Sequence, residues 1–323
     1  VPVDAEESSY RNDTKNFYVI LGGGAAGFYA ASAIRERDTT GSIVMVSNEP
    51  YRPYNRPMLT KSIMADLTED QIAIQEEKWF EEQNIHLLLG RQVTAIDTEK
   101  KEVILDNEMK LIYTKLIYAL GSECFIPPIP GHEKKGVVAV RRLEDTRKIE
   151  EMLPNVKHVA VIGGGVLGLE AAWEMKKAKC DVTVLELAPQ LMGRQLDDGA
   201  SDMLKTISQA QGIQIRTGVQ IEEIQGEDKV SGVRLAGGEV IPAELVIVSA
   251  GVRANTAVAQ EAGIETERAV VVNERMETSV PDIYACGDCA QYQGINYAIW
   301  PQAVEQGKTA GANAAGEVTA YET

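Results

Sequence analysis

Apolar and polar positions along the chain fall into short blocks separated by glycine and proline. Phe17–Leu21 is an apolar run that passes straight into Gly22, Gly24 and Gly27 and then into the small, helix-compatible residues of Phe28 to Ile34. This order predicts a strand, a tight turn and a helix. A second apolar run, Ser42 to Ser47, predicts the next strand, and Glu49 follows its end. From Ile85 to Leu120 the segments HLLLG, QVTAID, KEVIL and KLIYAL predict a strand, a β-meander and a returning core strand. Between them, Tyr51 to Lys61 holds Pro53 and Pro57, with Pro50 just before it, which forbids a continuous helix or central strand. Its side chains are therefore expected to be free to face a ligand. Ala65 to Asn84 reads as acidic helix and loop, and Gly121 to Gly131, with Pro127, Pro128 and Pro130, as a linker.

The pattern then starts again. Lys157 to Ile162 predicts a strand, Gly163 to Gly168 reads GGGVLG, a helix is expected to about Lys177, and Asp181 to Leu185 predicts a strand ending at Glu186. Gly22 stands 27 residues before Glu49, and Gly163 stands 23 before Glu186. In each copy the first glycine permits the turn and the second, Gly24 or Gly165, lets the backbone approach a pyrophosphate. The third, Gly27 or Gly168, lets helix and strand pack closely, while the helix N-terminus offers unpaired N–H groups. The terminal carboxylate is placed to accept from ribose hydroxyls. The repeat implies two dinucleotide sites. Ile213 to Val248 reads as another meander ending in a core strand. Asp282 to Ala290 (DIYACGDCA) reads as a strand stopping at a glycine with an acid next to it, and Trp300 to Ala315 as a closing helix with Pro301 in its first turn.

The 323 residues suit two domains of ordinary size, with 44% hydrophobic and 25% charged residues. A net charge of −16 argues against nucleic acid and anionic membrane surfaces as partners. No apolar run approaches the roughly 20 residues of a membrane span, so no membrane association is expected. Four cysteines are too few for a disulfide framework in a chain of this length, and the expected compartment is the cytoplasm. Val1 to Lys15 is polar and acidic and reads as a flexible lead-in. The first residue is Val, which suggests processing or a piece of a longer chain.

Five landmarks occur in order: GGGAAG with Glu49, PYNRPMLTK at Pro53 to Lys61, GGGVLGLE at Gly163 to Glu170, SAGVRAN at Ser249 to Asn255, and ACGDCA at Ala285 to Ala290. From Phe17 onwards the chain resembles the two-dinucleotide flavoproteins that include rubredoxin reductases, ferredoxin reductases, NADH oxidases and the flavin portion of NADH-dependent nitrite reductases. The resemblance implies an α/β fold of two Rossmann-like domains of the three-layer ββα type with β-meanders. FAD would occupy the first site and a nicotinamide dinucleotide the second. The NAD domain, residues 123–251, would be inserted in an FAD domain of residues 16–122 and 252–323.

The resemblance also implies site residues. For FAD these are Gly22, Gly24, Ala26, Gly27 and Glu49, with Arg56 facing the phosphates, Val93 meeting adenine through its backbone, and Asp288 accepting from ribityl hydroxyls. Trp300 would lie along the isoalloxazine, although core packing suits it equally, and Asp288 suits a helix cap as well. For the nicotinamide dinucleotide they are Gly163, Gly165, Val166, Leu167, Gly168, Glu170, Glu186 and Gly251. A carboxylate at Glu186 favours the 2′-hydroxyl of NADH over the 2′-phosphate of NADPH. Lys61 and Glu170 match residues that approach flavin and nicotinamide, and are expected to pair over the active site. A solvated Lys and a first-turn Glu favoured by the helix dipole read equally well.

Disulfide-reducing relatives carry a redox cysteine in the segment corresponding to Tyr51 to Lys61, and this chain has none there. Cys286 and Cys289 form a CxxC, but they flank Asp288 in a crowded turn, and packing is the expectation for them as for Cys124 and Cys180. The chain therefore reads as an NADH-dependent FAD oxidoreductase feeding a small electron carrier, rubredoxin or a ferredoxin-like protein. Alternatives are the flavin module of a larger reductase, an NADH oxidase, or a flavin-bound NADH-sensing interaction subunit. Rubredoxins are usually acidic, and Arg52, Arg56, Lys61 and Lys115 are candidates for a basic patch. Val1 to Glu6 resembles the tail of a rubredoxin-like module, and relatives usually continue into an interface domain, so a homodimer or a larger multidomain assembly both stay open.

Overall fold

The computed structural model describes residues 15–61 and 63–323, and the expected lead-in lies outside these apart from Lys15. The chain packs as two compact units: residues 15–55, 69–123 and 253–323 form the first, and 56–68 with 124–252 the second.

In the first unit the apolar blocks become a five-stranded parallel sheet. Its order is Ile283–Ala285, Lys115–Tyr118, Phe17–Leu21, Ser42–Val46 and Ile85–Leu88. Ser42–Val46 is buried along its whole length, as a strand covered on both faces must be. The expected meander forms a separate antiparallel sheet of Val93–Asp97, Glu102–Leu105 and Lys110–Ile112. The helix after the glycines begins at Ala25, earlier than Phe28, because Gly24 already takes the extended N-cap conformation, and it runs to Arg37. The closing helix, Trp300–Ala314, packs on it with backbones in near contact. A Cβ on Gly307 would lie 2.4 Å from the Ala26 carbonyl oxygen, and one on Gly311 would lie 2.3 Å from that of Ala30.

The second unit repeats the plan. Its sheet runs Gln214–Thr217, Asp181–Glu186, His158–Ile162, Leu245–Val248 and Val137–Val138. A meander of Ile221–Gly226, Val230–Leu235 and Val240–Pro242 stands apart from it. Separate apolar clusters fill the two faces of this sheet, one gathering Val159, Val161 and Val184, the other Ala160, Ile162 and Val246. In each sheet the strand that leads into the glycine loop lies between the strand after that loop's helix and the returning strand, so the strand order reverses at its C-terminal end. Ligands of open α/β sheets bind at such a point.

Two expectations change. The linker Gly121–Gly131 contains a short strand, Ser122–Cys124. The proline-rich segment does not leave all its side chains free: Tyr54, Leu59 and Thr60 are buried, and Met58–Lys61 closes it as one helical turn. Among the described residues no helix is long and apolar enough to cross a membrane.

Candidate functional site

The two glycine loops are built alike. Gly22 has φ +115° and Gly163 has φ +114°, a region L side chains rarely adopt. A Cβ on Gly22 would lie 1.9 Å from the Ala119 carbonyl oxygen, and one on Gly163 would lie 1.9 Å from that of Ser249. Each loop is pinned to the neighbouring strands by the same backbone bonds. The N–H of Gly22 donates to Val46 O at 2.7 Å and that of Gly163 to Leu185 O at 2.9 Å, while Ala119 donates to Leu21 O and Ser249 to Ile162 O. A Cβ on Gly27 or Gly168 would strike the carbonyl of Gly22 or Gly163, at 2.2 and 2.1 Å. At Gly165 no atom lies within 4 Å of a would-be Cβ. That open side, beside a helix N-terminus without acidic residues in its first turn, is what a pyrophosphate requires.

In the first unit Ala26 sits where the helix Ala25–Arg37, the closing helix and the Gly287 turn converge: a Cβ on Gly287 would lie 2.7 Å from that of Ala26. Asp288 accepts from Ser122 Oγ at 3.3 Å. Its turn is held by two residues that the sequence reading missed. Gly287 N–H donates to buried Gln306 Oε1 at 2.9 Å, and Asn296 Nδ2 donates to the carbonyls of Asp288 and Ala290. A lone glutamine among Ala303, Gly307, Ala310 and Gly311 on the inward face of the closing helix was the available signal. Glu49 is buried and its Oε2 accepts from Tyr54 Oη at 2.6 Å. Val93 is buried at the start of its strand, and Trp300 is half-buried against the core of this unit.

In the second unit Glu186 turns back on the loop. Its Oε2 accepts from Gly164 N–H and its Oε1 from Ala188 N–H. Val166 and Leu167 are exposed apolar residues at the loop, and Gly251 is exposed with φ +92°. The helix Val166–Lys177 clasps the segment from the proline-rich stretch with carboxylates one turn apart. Thr60 Oγ1 donates to Glu170 Oε2 at 2.8 Å, and Met64 N–H donates to buried Glu174, which also pairs with Lys177. Lys61 Nζ stands 3.9 Å from Glu170 Oε1 and is 60% exposed. Arg56 belongs to this unit, and its Nη1 donates to Arg141 O at 3.0 Å. The candidate basic patch does not form as one cluster of unpaired cations: Arg52 pairs with Glu69 and Asp70, and Lys115 with Asp282.

A profile of the pyridine nucleotide-disulphide oxidoreductase family matches residues 17–307. The chain belongs to that family. It is 41% identical over 295 residues to the nitrite reductase [NAD(P)H] of Bacillus subtilis (strain 168), covering 91% of this chain and 37% of that protein. With the rubredoxin-NAD(+) reductase of Pseudomonas putida it shares 35% identity over 274 residues, 84% of this chain and 71% of that protein. The crystal structure of a ferredoxin reductase from Rhodopseudomonas palustris superposes with a TM-score of 0.91 at 30% identity, covering 95% of this chain and 78% of that one. The chain thus spans well under half the length of the nitrite reductase.

The disulphide chemistry in the family's name finds no exposed thiol pair here. Cys286 and Cys289 are free and fully buried. Burial pushes the Cys289 thiol up to about 12 and the Cys286 thiol well above its ordinary value. The Cys289 thiol is directed at the carbonyls of Cys286 and Tyr118. Both thiols are poor nucleophiles in the folded chain. Among the described residues no cluster of His, Cys, Asp or Glu is arranged to hold a metal ion.

Proposed function

We propose that this chain is the flavin module of an NADH-dependent oxidoreductase: it binds FAD at the first loop and NADH at the second and delivers electrons to a small carrier, rubredoxin or a ferredoxin-like protein. The duplication carries the reading, since two loops with the same φ, the same backbone bonds and the same forbidden Cβ positions are each followed by a helix, a strand and an acid, Glu49 just past its strand and Glu186 at the end of its own. When bound, the nicotinamide supplies a hydride and the flavin accepts it and can release its electrons singly.

The chain's own residues bind and orient. Gly22, Gly24, Ala26 and Gly27 give the first pyrophosphate a close backbone and a helix N-terminus, and Gly163, Gly165, Val166, Leu167 and Gly168 do so for the second. Glu49 and Glu186 accept from ribose hydroxyls, and Asp288 accepts from the ribityl chain. Val93 lends its backbone to adenine, and Gly251 keeps a side chain away from the nicotinamide. Trp300 excludes water along the flavin. Arg56 answers phosphate charge, and Lys61 with Glu170 tunes the charge around the reacting rings. Four free thiols support a reducing compartment, the cytoplasm.

Anaerobic stopped-flow of the FAD-loaded protein with NADH, then NADPH, followed by oxidised rubredoxin, tests this. Rapid bleaching by NADH, slow bleaching by NADPH and reoxidation by rubredoxin are expected. Bleaching without transfer rejects rubredoxin as acceptor, and failure of NADH to bleach the flavin rejects the enzyme reading. The similarity to a nitrite reductase of which this chain covers 37% favours one second reading, a module that feeds a redox centre within a larger enzyme. In that case ferricyanide, a small one-electron acceptor, reoxidises the flavin and free rubredoxin does not.

A further inference from the structure

Tyr54 lies outside the glycine loop and outside the roles assigned above, yet it is paired with Glu49. Tyr54 is 2% exposed and Glu49 5%, and the phenol donates to Glu49 Oε2 at 2.6 Å. A hydrogen bond to an ionised acceptor is among the stronger ones in a protein, and it is directional. The phenol is fixed by the backbone around it. Ile74 N–H donates to Pro53 O at 2.9 Å, Asn55 N–H donates to Ile72 O at 2.8 Å, and Tyr54 forms an antiparallel bridge with Ala73. The glutamate is fixed at its backbone as well. Glu49 N–H donates to Ser47 Oγ, Gly90 N–H donates to Glu49 O, and Ser47 lies so close under the phosphate loop that a Cβ on Gly23 would approach its Oγ to 2.7 Å.

We propose that Tyr54 is a positioning residue for dinucleotide binding in the first unit, holding one oxygen of Glu49 so that the carboxylate meets the adenosine ribose of FAD already oriented. The proposal rests on reading Glu49 as the ribose acceptor. A glutamate side chain has rotamer freedom that binding would otherwise remove; here folding removes it, so the cost does not fall on the ligand. The proline-rich segment then has a defined task in this unit. Pro53 sets the entry to Tyr54 with a fixed φ, and the bridge to Ala73 holds the Tyr54 backbone while its ring reaches inward to Glu49.

The test compares the affinity of the apoprotein for FAD and for its 2′-deoxyadenosine analogue, read by flavin fluorescence, with the melting temperature of each apoprotein alongside. Wild type is expected to prefer FAD by about tenfold, the order of one hydrogen bond to a charged group. Tyr54→Phe is expected to weaken FAD by about tenfold and bring the preference close to one. Glu49→Gln is expected to do the same, and the double variant to be no worse than Glu49→Gln alone, because coupled residues are not additive. A Tyr54→Phe protein that keeps the wild-type preference overturns the proposal, as does one whose melting temperature falls while the preference stands. A Glu49→Gln protein that keeps the preference overturns the reading of Glu49 itself. If Tyr54→Phe does not fold, a crystal structure of the FAD-bound wild type decides. Glu49 bonded to both Tyr54 and ribose supports the proposal, and ribose held by Glu49 with the phenol elsewhere rejects it.

Discussion

Burial decides what Cys286 and Cys289 can do. A thiol must lose its proton to react, and a thiolate at a fully buried position has no water to stabilise it, so the Cys289 thiol sits at about 12. Iodoacetamide at about pH 8 is therefore expected to label neither residue in the folded protein, while both react in denaturant; mass spectrometry of the labelled peptides checks this. Cys289→Ala is expected to leave NADH bleaching of the flavin unchanged, and its loss would show that the thiol does more than pack. The spacing of these cysteines was legible in the sequence, and so was their place beside Asp288. Their reactivity depends on what lies around them, the carbonyls of Tyr118 and Cys286, and Tyr118 is far away along the chain. Among the cations, Arg52 and Lys115 were visible as charges, but the carboxylates of Glu69, Asp70 and Asp282 that answer them were not assignable from sequence.

At the scale of elements, the closing helix shows how small residues organise the first unit. Gly307 and Gly311 lie one turn apart and face the carbonyls of Ala26 and Ala30. The same helix brings Gln306 to the Gly287 N–H. Gly311→Ala must push the helices apart, since its Cβ would lie 2.3 Å from a backbone oxygen, and overpacking of this kind costs about 1–3 kcal/mol. Thermal or urea unfolding monitored by circular dichroism checks it, and an unchanged stability would mean that the helices do not meet as described. The helix itself was readable from Pro301 and its small residues. Its partner was not, because a face of Ala and Gly fits any close backbone and nothing local selects Ala25–Arg37. The hold of Glu170 on Thr60 and of Glu174 on Met64 has the same character: each carboxylate suits a solvated helix until the chain 110 residues away is packed on it.

For the molecule as a whole, duplication makes the two sites separable. Gly163→Ala strikes the Ser249 carbonyl and leaves the first loop untouched, whereas Gly22→Ala strikes that of Ala119. A Gly163→Ala protein is expected to purify with FAD and to lose bleaching by NADH, and a Gly22→Ala protein to purify without flavin. Absorption spectra of the purified variants, followed by NADH addition, distinguish these outcomes. Loss of FAD from the Gly163→Ala protein would contradict the assignment of one dinucleotide to each loop.

The sequence alone determined the strand, loop and helix of each unit, the repeat, and the acids that close it. These depend on neighbours in the chain: an apolar run covered on both faces, a glycine at positive φ, and a helix N-terminus following at once. The tertiary structure decided which residues serve those loops. Tyr54 on Glu49, Gln306 on Gly287, Asn296 on Asp288, and Glu174 on Met64 are directional bonds between segments whose approach is set by packing. Even Tyr54 and Glu49, five residues apart, meet where the Tyr54 backbone is bridged to Ala73, a residue well beyond both in the chain. A hydrogen bond of this kind exists at one distance and angle, and residue spacing along an irregular segment does not specify either.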